Sequence, residues 1–299
     1  MGVPAEKMRW PFVRRNSYKT EKKYFPGNLP GGKGFQGGIA MIAGIQVSSF
    51  RPVLTTEDQV RAAFRKMREM GCDTVQLQWI DFSIAPETIV EAMEAEGIRS
   101  VSTQDFYQTV RERKEYFIRL NQLCRSEWVC VSGIPESYLS PEGLKAYTEE
   151  LTEFIHELEE SGLKLCFHPR ASDFRPVGQK DPVEYLMEHL PDSAALCLDL
   201  YHVGHAGLSM EETIEKYRGK ICMVHFKDFR KDGEEECLVP VGQGDTDWSG
   251  ALRACAETKV PYGFVEQERW DRDPFVCLKE SFDWLRERLE EPRCEAERF

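Results

Sequence analysis

From Ile39 onward the chain alternates short apolar runs with amphipathic stretches. AMIAGIQVSS, CDTVQLQW, IRSVSTQ, VCVSGIP, LKLCFHP, AALCLDLYHV, ICMVHFKD and YGFVEQE are rich in β-branched and aliphatic residues, and read as eight strands. The intervening stretches carry helix signals. Thr56 with Gln59 forms a capping-box pair that opens a helix closing at Gly71. PETIVEAMEAEG follows the second strand, and one long helical stretch running through Leu123 follows the third. Ser140 and Pro141 open a helix that places Leu144, Tyr147, Leu151, Phe154, Ile155 and Leu158 on one face and ends at Gly162. DPVEYLMEHL, a helix capped by Ser209 with Glu212 and ending at Gly219, DWSGALRACAETK and FVCLKESFDWLRERL complete the series.

Eight β/α pairs in strict order predict a closed parallel α/β barrel, a (β/α)8 TIM barrel over residues 39–299, rather than an open sheet. About 250 residues is the usual size of such a barrel, and its catalytic groups lie at the C-terminal ends of the strands. Residues 1–38 show neither helical nor strand periodicity and read as an irregular basic arm, with eight Lys and Arg against two Glu. Such an arm either straps its own acidic barrel or contacts a second subunit in a homo-oligomer. Gly32, Gly34 and Gly37 match the dinucleotide fingerprint, but no strand precedes them and a strand-like run follows, the reverse of the required order.

The formal net charge of −12 argues against a nucleic-acid surface, which requires clustered Lys and Arg. It is compatible with a small polar substrate held through a cation. The ten cysteines form no CxxC pair, and several sit inside apolar runs as small hydrophobes, which points to a reducing, cytoplasmic setting. No membrane partner is expected, because no apolar run reaches the roughly 18 residues of a membrane span, and the N-terminus lacks a signal-peptide core.

The chemistry gathers where strands stop. LCLDLYHVGHAG ends an apolar run in Asp199, then His202 and His205; ICMVHFKDF ends one in His225 and YGFVEQE in Glu266. His168 follows the fifth strand and Glu136 the fourth. A buried carboxylate or imidazole needs a partner, and a metal ion is one. A single such residue more often bonds a loop, but several on successive strands of one barrel are not explained that way. His168, Asp199, His225 and Glu266 would form a mixed nitrogen and oxygen shell suited to Mn²⁺, Zn²⁺, Fe²⁺ or Co²⁺. His156 and His189 fall inside predicted helices and read as scaffold.

The succession DLYHVGHAG, VHFKD, VGQGDTDW and FVEQE resembles the sugar phosphate isomerase/epimerase superfamily, the xylose isomerase-like barrels that include ketose 3-epimerases, inosose dehydratases and apurinic endonucleases. The resemblance extends from Ile39 to Leu289. It implies one divalent metal, Mn²⁺ foremost, held by Asp199, His225 and Glu266, with His202 facing substrate oxygens. In the ketose epimerases a Glu after strand five is the fourth ligand and pairs with the strand-eight Glu to move a proton. Here that position is His168, in HPRASDF, which resembles the HNHxxEF segment of the dehydratase-like branch with Pro169, Arg170 and Asp173 as replacements. Two-carboxylate epimerisation would then require Asp173 or Glu136 to supply the missing base.

The expected activity is metal-dependent isomerisation or epimerisation of a sugar, keto-sugar or cyclitol through an enediolate. Glu266, His202 and Lys227 are the candidate catalytic residues, with His205 a further candidate acid; Lys227 could instead pair with Asp228. His202, Arg170, Arg230 and Glu136 are candidate substrate contacts, and Trp79, Phe106 and Trp270 could stack on a sugar ring. The alternatives are a lyase of the same framework, by water loss or cleavage of a keto-glycoside, and a non-catalytic sugar- or metal-binding barrel. An apurinic endonuclease would need more metal ligands and a basic face. In VGQGDTDW, Gly242 and Gly244 suggest a phosphate loop, but Asp245 and Asp247 oppose a bound dianion, and the favoured reading is a lid or turn whose Asp247 caps the next helix.

Overall fold

The computed structural model describes residues 41–233 and 235–290. The expected arm, residues 1–38, lies outside them. The strands are β1 (Ile42–Gln46), β2 (Thr74–Gln78), β3 (Arg99–Phe106), β4 (Trp128–Ser132), β5 (Lys164–His168), β6 (Ala195–Asp199), β7 (Ile221–Phe226), β8 (Asp228–Asp232), β9 (Glu235–Val239) and β10 (Tyr262–Val265). All but β8 and β9 close into one barrel in the order β1-β10-β7-β6-β5-β4-β3-β2, with parallel pairing throughout.

Helices α1 (Glu57–Glu69), α2 (Pro86–Glu96), α3 (Tyr107–Glu112), α4 (Lys114–Cys124), α5 (Pro141–Glu160), α6 (Pro182–His189), α7 (Leu200–His205), α8 (Met210–Lys216), α9 (Ser249–Thr258) and α10 (Pro274–Glu290) accompany the strands. The apolar face of α5 is buried as its spacing predicts, from Leu144 to Leu158, and the Ser140 side chain accepts the Gly143 N–H at its start. Thr56 caps α1 through the Gln59 N–H. Gln59 completes only half a capping box, because its Oε1 accepts from Thr55 rather than from the Thr56 N–H.

Three local features depart from the sequence reading. The single helix expected after the third strand is broken at Arg113 into α3 and α4. The first strand ends at Gln46 and continues as a 3-10 turn, Val47–Val53. An antiparallel hairpin, β8 with β9, is inserted after β7. Its strands are short and largely exposed, so no run of apolar residues announces them.

Alternation of side chains along a strand sets two layers inside the barrel. Cys166, Cys197, Met223 and Phe264 belong to a buried sulfur-rich cluster with Val101, Cys130, Ala195 and Cys222. Two residues further along the same strands, or one past the end of β10, stand His168, Asp199, His225 and Glu266, each at most 4% exposed. The apolar layer therefore forms the floor beneath a polar one at the C-terminal mouth.

Candidate metal centre at the barrel mouth

Asp199 ends β6 and also caps α7: its Oδ1 accepts the N–H groups of Tyr201 and His202 at 2.8 and 3.2 Å. That leaves Oδ2 facing the mouth, buried and without a hydrogen-bond partner among the described residues. His168 is turned by Ser132, whose Oγ lies 3.0 Å from Nδ1, so that Nε2 approaches Asp199 Oδ2 at 3.6 Å. His225, the register partner of Asp199 across β6 and β7, is held at Nε2 by Gln76 Oε1 at 2.6 Å, and its Nδ1 lies 3.5 Å from Glu266 Oε2. His168 Nε2 and His225 Nδ1 are likewise buried and unpartnered.

The ligating atoms of His168, Asp199 and His225 lie within 4.8 Å of one another. Ligand atoms about 2.1 Å from a common ion stand at most about 4.2 Å apart, so small side-chain adjustments close the set. Three buried polar atoms without partners are costly unless something fills the space between them. The charge agrees: Asp199, Glu266 and Glu268 surround the single ammonium of Lys227, whose Nζ is 3.5 Å from Asp199 Oδ2, 2.9 Å from Glu266 Oε2 and 2.8 Å from Glu268 Oε1. Three carboxylates outnumber the one lysine, and His225, raised well above the ordinary histidine range, supplies further positive charge that a bound cation would replace. The donor set present therefore fits such an ion.

Burial by itself would raise the Asp199 and Glu266 carboxyls, but neighbouring positive charge prevails. Lys227, with His202 and His168, holds Asp199 well below the ordinary carboxylate range, and Lys227 with His225 does the same for Glu266. Burial opposes the charge on Lys227, yet Glu266, Asp199 and Glu268 raise it well above the usual lysine range. His202, whose Nε2 is 3.8 Å from Asp199 Oδ2, is pushed down to about 4 chiefly by burial, against the pull of Asp199, and is neutral at pH 7.

The other candidates are placed differently. Lys227 pairs with Glu266, Glu268 and Asp199 rather than with Asp228, the partner proposed for it from sequence. His205 stacks on Tyr201 with ring centroids 3.8 Å apart and meets Glu236 at 2.7 Å, which ties α7 to the hairpin. Glu136 is exposed on a 3-10 turn after β4. Arg170 folds back to donate to the Ile134 carbonyl at 3.0 Å. Asp173, fully buried, accepts from the Arg170 N–H at 2.8 Å and the Ile134 N–H at 3.4 Å, so it caps its own loop and does not replace the missing carboxylate. Arg230 is exposed on β8 and bonds the Gln243 carbonyl.

Asp228 organises the VGQGDTDW loop. Its carboxylate accepts from the N–H groups of Phe229, Gly242, Gly244 and Thr246 and from Trp248 Nε1. The amides that would cradle a phosphate are thus occupied by an internal carboxylate. Gly244 has no room for a Cβ, which would overlap Asp228 and the Phe229 carbonyl. Asp247 accepts from the Ser249 N–H and hydroxyl at the start of α9.

Ser48, Gln76, Ser132 and Glu268 escape a reading that looks only for imidazole and carboxylate at strand ends. Ser48 Oγ donates to Glu266 Oε1 at 2.8 Å. Polar residues at inward positions of otherwise apolar strands, such as Gln76 in TVQLQ, were the available signal.

The family model for xylose isomerase-like TIM barrels matches residues 64–288. The chain belongs to that family. A search of curated proteins returns no significant match. Among solved structures, a sugar phosphate isomerase/epimerase from Parabacteroides distasonis superposes with TM-score 0.68 at 14% identity, covering 84% of this chain and 94% of that one. A 3-keto-D-glucoside 4-epimerase from E. coli superposes with TM-score 0.60 at 16% identity, over 83% and 99% of the two chains. A probable 3-DHS dehydratase from Bacillus anthracis gives TM-score 0.64 at 13% identity, over 82% and 98%. At these identities the likeness is one of fold. Within this xylose isomerase-like barrel, no helix among the described residues is long and apolar enough to cross a membrane.

Proposed function

We propose that the protein is a divalent-metal-dependent isomerase or epimerase that removes a proton beside the carbonyl of a sugar, keto-sugar or cyclitol. The observation that carries this reading is the set of unpartnered buried atoms His168 Nε2, Asp199 Oδ2 and His225 Nδ1, with Glu266 alongside. These four residues would hold the ion, with Mn²⁺ favoured and Zn²⁺, Fe²⁺ or Co²⁺ compatible with the same donors. Bound there, such an ion supplies Lewis acidity to a substrate carbonyl and its adjacent hydroxyl.

Glu266 is ionised and is fixed at Oε1 by Ser48, so it is placed to accept the substrate proton. Lys227, charged and 2.9 Å from Glu266 Oε2, would steady developing negative charge, and a proton returned on this side would give isomerisation at the neighbouring carbon, whereas epimerisation would need a donor on the opposite face. Neutral His202 at the rim presents an imidazole that both donates to and accepts from sugar hydroxyls.

A lyase is the second reading, and one observation favours it. With Asp173 committed to its loop and Glu136 exposed, neither candidate supplies a second carboxylate opposite Glu266. One base and one ammonium suffice for elimination, whereas two-base epimerisation needs more. A screen of keto-sugars and inososes with Mn²⁺ separates the readings by product: isomer, or loss of water or a leaving group. Full activity after exhaustive chelation would remove both.

A further inference from the structure

A cavity of about 790 Å³ lies at the C-terminal ends of β1, β2 and β3, on the same face of the barrel as the metal-binding cluster. The 3-10 turn Val47–Val53 links the two: Ser48 near its start holds Glu266, and Arg51, one turn later, lines the cavity. One 3-10 turn advances about 6 Å, a little more than a pyranose ring's width. Trp79, Asp81, Phe82, Asp105 and Arg113 form other parts of the wall.

We propose that this cavity binds a second sugar ring, so that the substrate is a neutral glycoside or disaccharide rather than a free monosaccharide. The inference deepens the function proposed above and rests on it for the reacting ring.

Three observations carry it. Trp79 is held at φ 59°, a conformation disfavoured for a bulky side chain and retained only where the surroundings impose it. The Arg51 guanidinium lies 4.6 Å from the centroid of that indole, and Phe106, 44% exposed, is 6.3 Å from it. Trp79 and the guanidinium stacked on it both line the cavity, an aromatic wall for the C–H face of a pyranose with a donor group beside it for the hydroxyls.

The wall also carries two guanidinium groups, of Arg51 and Arg113, stacked on Trp79 and Phe82, and two carboxylates, of Asp81 and Asp105, each of which accepts one backbone N–H at a single oxygen and keeps further acceptor capacity. Their charges cancel, which gives no net attraction for an ion but offers donors and acceptors to hydroxyl groups. The volume falls in the range of small-molecule sites. With Asp81 and Asp105 balancing Arg51 and Arg113, an anionic substrate gains nothing over a neutral one on this wall.

The test is calorimetric titration of the full chain, in Mn²⁺, with glucose, maltose, cellobiose, trehalose and glucose 6-phosphate. At least one neutral disaccharide is expected to bind about tenfold tighter than glucose. Trp79→Gly, which suits the positive φ and so removes the ring without backbone strain, is expected to erase that gain while Mn²⁺ affinity stays unchanged. Disaccharides binding no tighter than glucose, a gain that survives Trp79→Gly, or a gain confined to glucose 6-phosphate would each overturn the proposal. Should Mn²⁺ fail to bind, the metal-dependent reading falls instead, and the comparison of disaccharide with glucose, repeated without metal, still decides this one.

Discussion

Gln76 Oε1 and His225 Nε2 meet at 2.6 Å inside the barrel, and this contact selects which imidazole nitrogen faces the mouth. A carboxamide oxygen only accepts, so Nε2 keeps a proton and Nδ1 is the nitrogen turned toward Glu266, the one that would present its lone pair once a metal displaces the proton that Glu266 favours there. Gln76 is itself oriented by Gln46, whose Nε2 donates to the same oxygen at 2.8 Å.

Gln76→Leu is therefore expected to weaken Mn²⁺ binding by about 10- to 100-fold, the usual cost of losing such an orienting partner. Titration calorimetry on the metal-free protein checks it. An unchanged affinity would show that His225 needs no such orientation.

Asp199→Asn and Glu266→Gln are expected to lower turnover by at least about 10²-fold. Both substitutions keep side-chain volume, so circular dichroism should be unaltered. Activity within a few-fold of the parent in either variant would count against the site.

Lys227→Met removes the one ammonium set among Asp199, Glu266 and Glu268. Leaving buried carboxylates unpaired typically costs about 3–5 kcal/mol. The variant should unfold at lower urea than the parent in chelator, and Mn²⁺ should restore more stability to it than to the parent. Equal stability in chelator would mean that the cluster does not depend on Lys227 for charge balance.

Burial pushes His202 down to about 4 in the folded protein, against an ordinary value near 6.5. A lowered histidine value means that the unfolded chain binds the proton first. The stability tied to neutral His202 is complete above pH 6.5 and is lost as pH falls toward 4, by about 3 kcal/mol in all. Asp199 and Glu266 are depressed carboxylates, so their contribution is intact above the ordinary carboxylate range and declines only below it. Urea unfolding of the metal-free parent and of His202→Asn at pH 7 and pH 5 should show this loss as the difference between the two proteins, since His225, raised in the folded state and so acting in the opposite sense, is common to both.

Asp228→Ala would strand the N–H groups of Gly242 and Gly244 and the indole N–H of Trp248. A loss of about 2–4 kcal/mol is expected, since each unsatisfied buried group costs about 1–3 kcal/mol when water cannot fully replace the partner. Thermal unfolding measures it, and a change below about 1 kcal/mol would mean that the loop holds its shape without this carboxylate.

The sequence by itself determined the barrel, because eight apolar runs separated by capped amphipathic helices admit few other parallel arrangements. It also placed His168, Asp199, His225 and Glu266 on one rim, since period-two alternation in parallel strands of common direction leaves their ends at one mouth. Tertiary structure alone decided the rest. Whether Asp173 reaches the mouth or caps its loop, and whether Lys227 meets Asp228 or Glu266, depends on contacts between residues far apart in the chain. Ser48 and Glu266 are 218 positions apart, and Gln76 and His225 are 149 apart. No local pattern encodes such pairs, because they exist only once barrel closure brings β1 beside β10 and turns the inward side chains of β2 and β7 toward one axis.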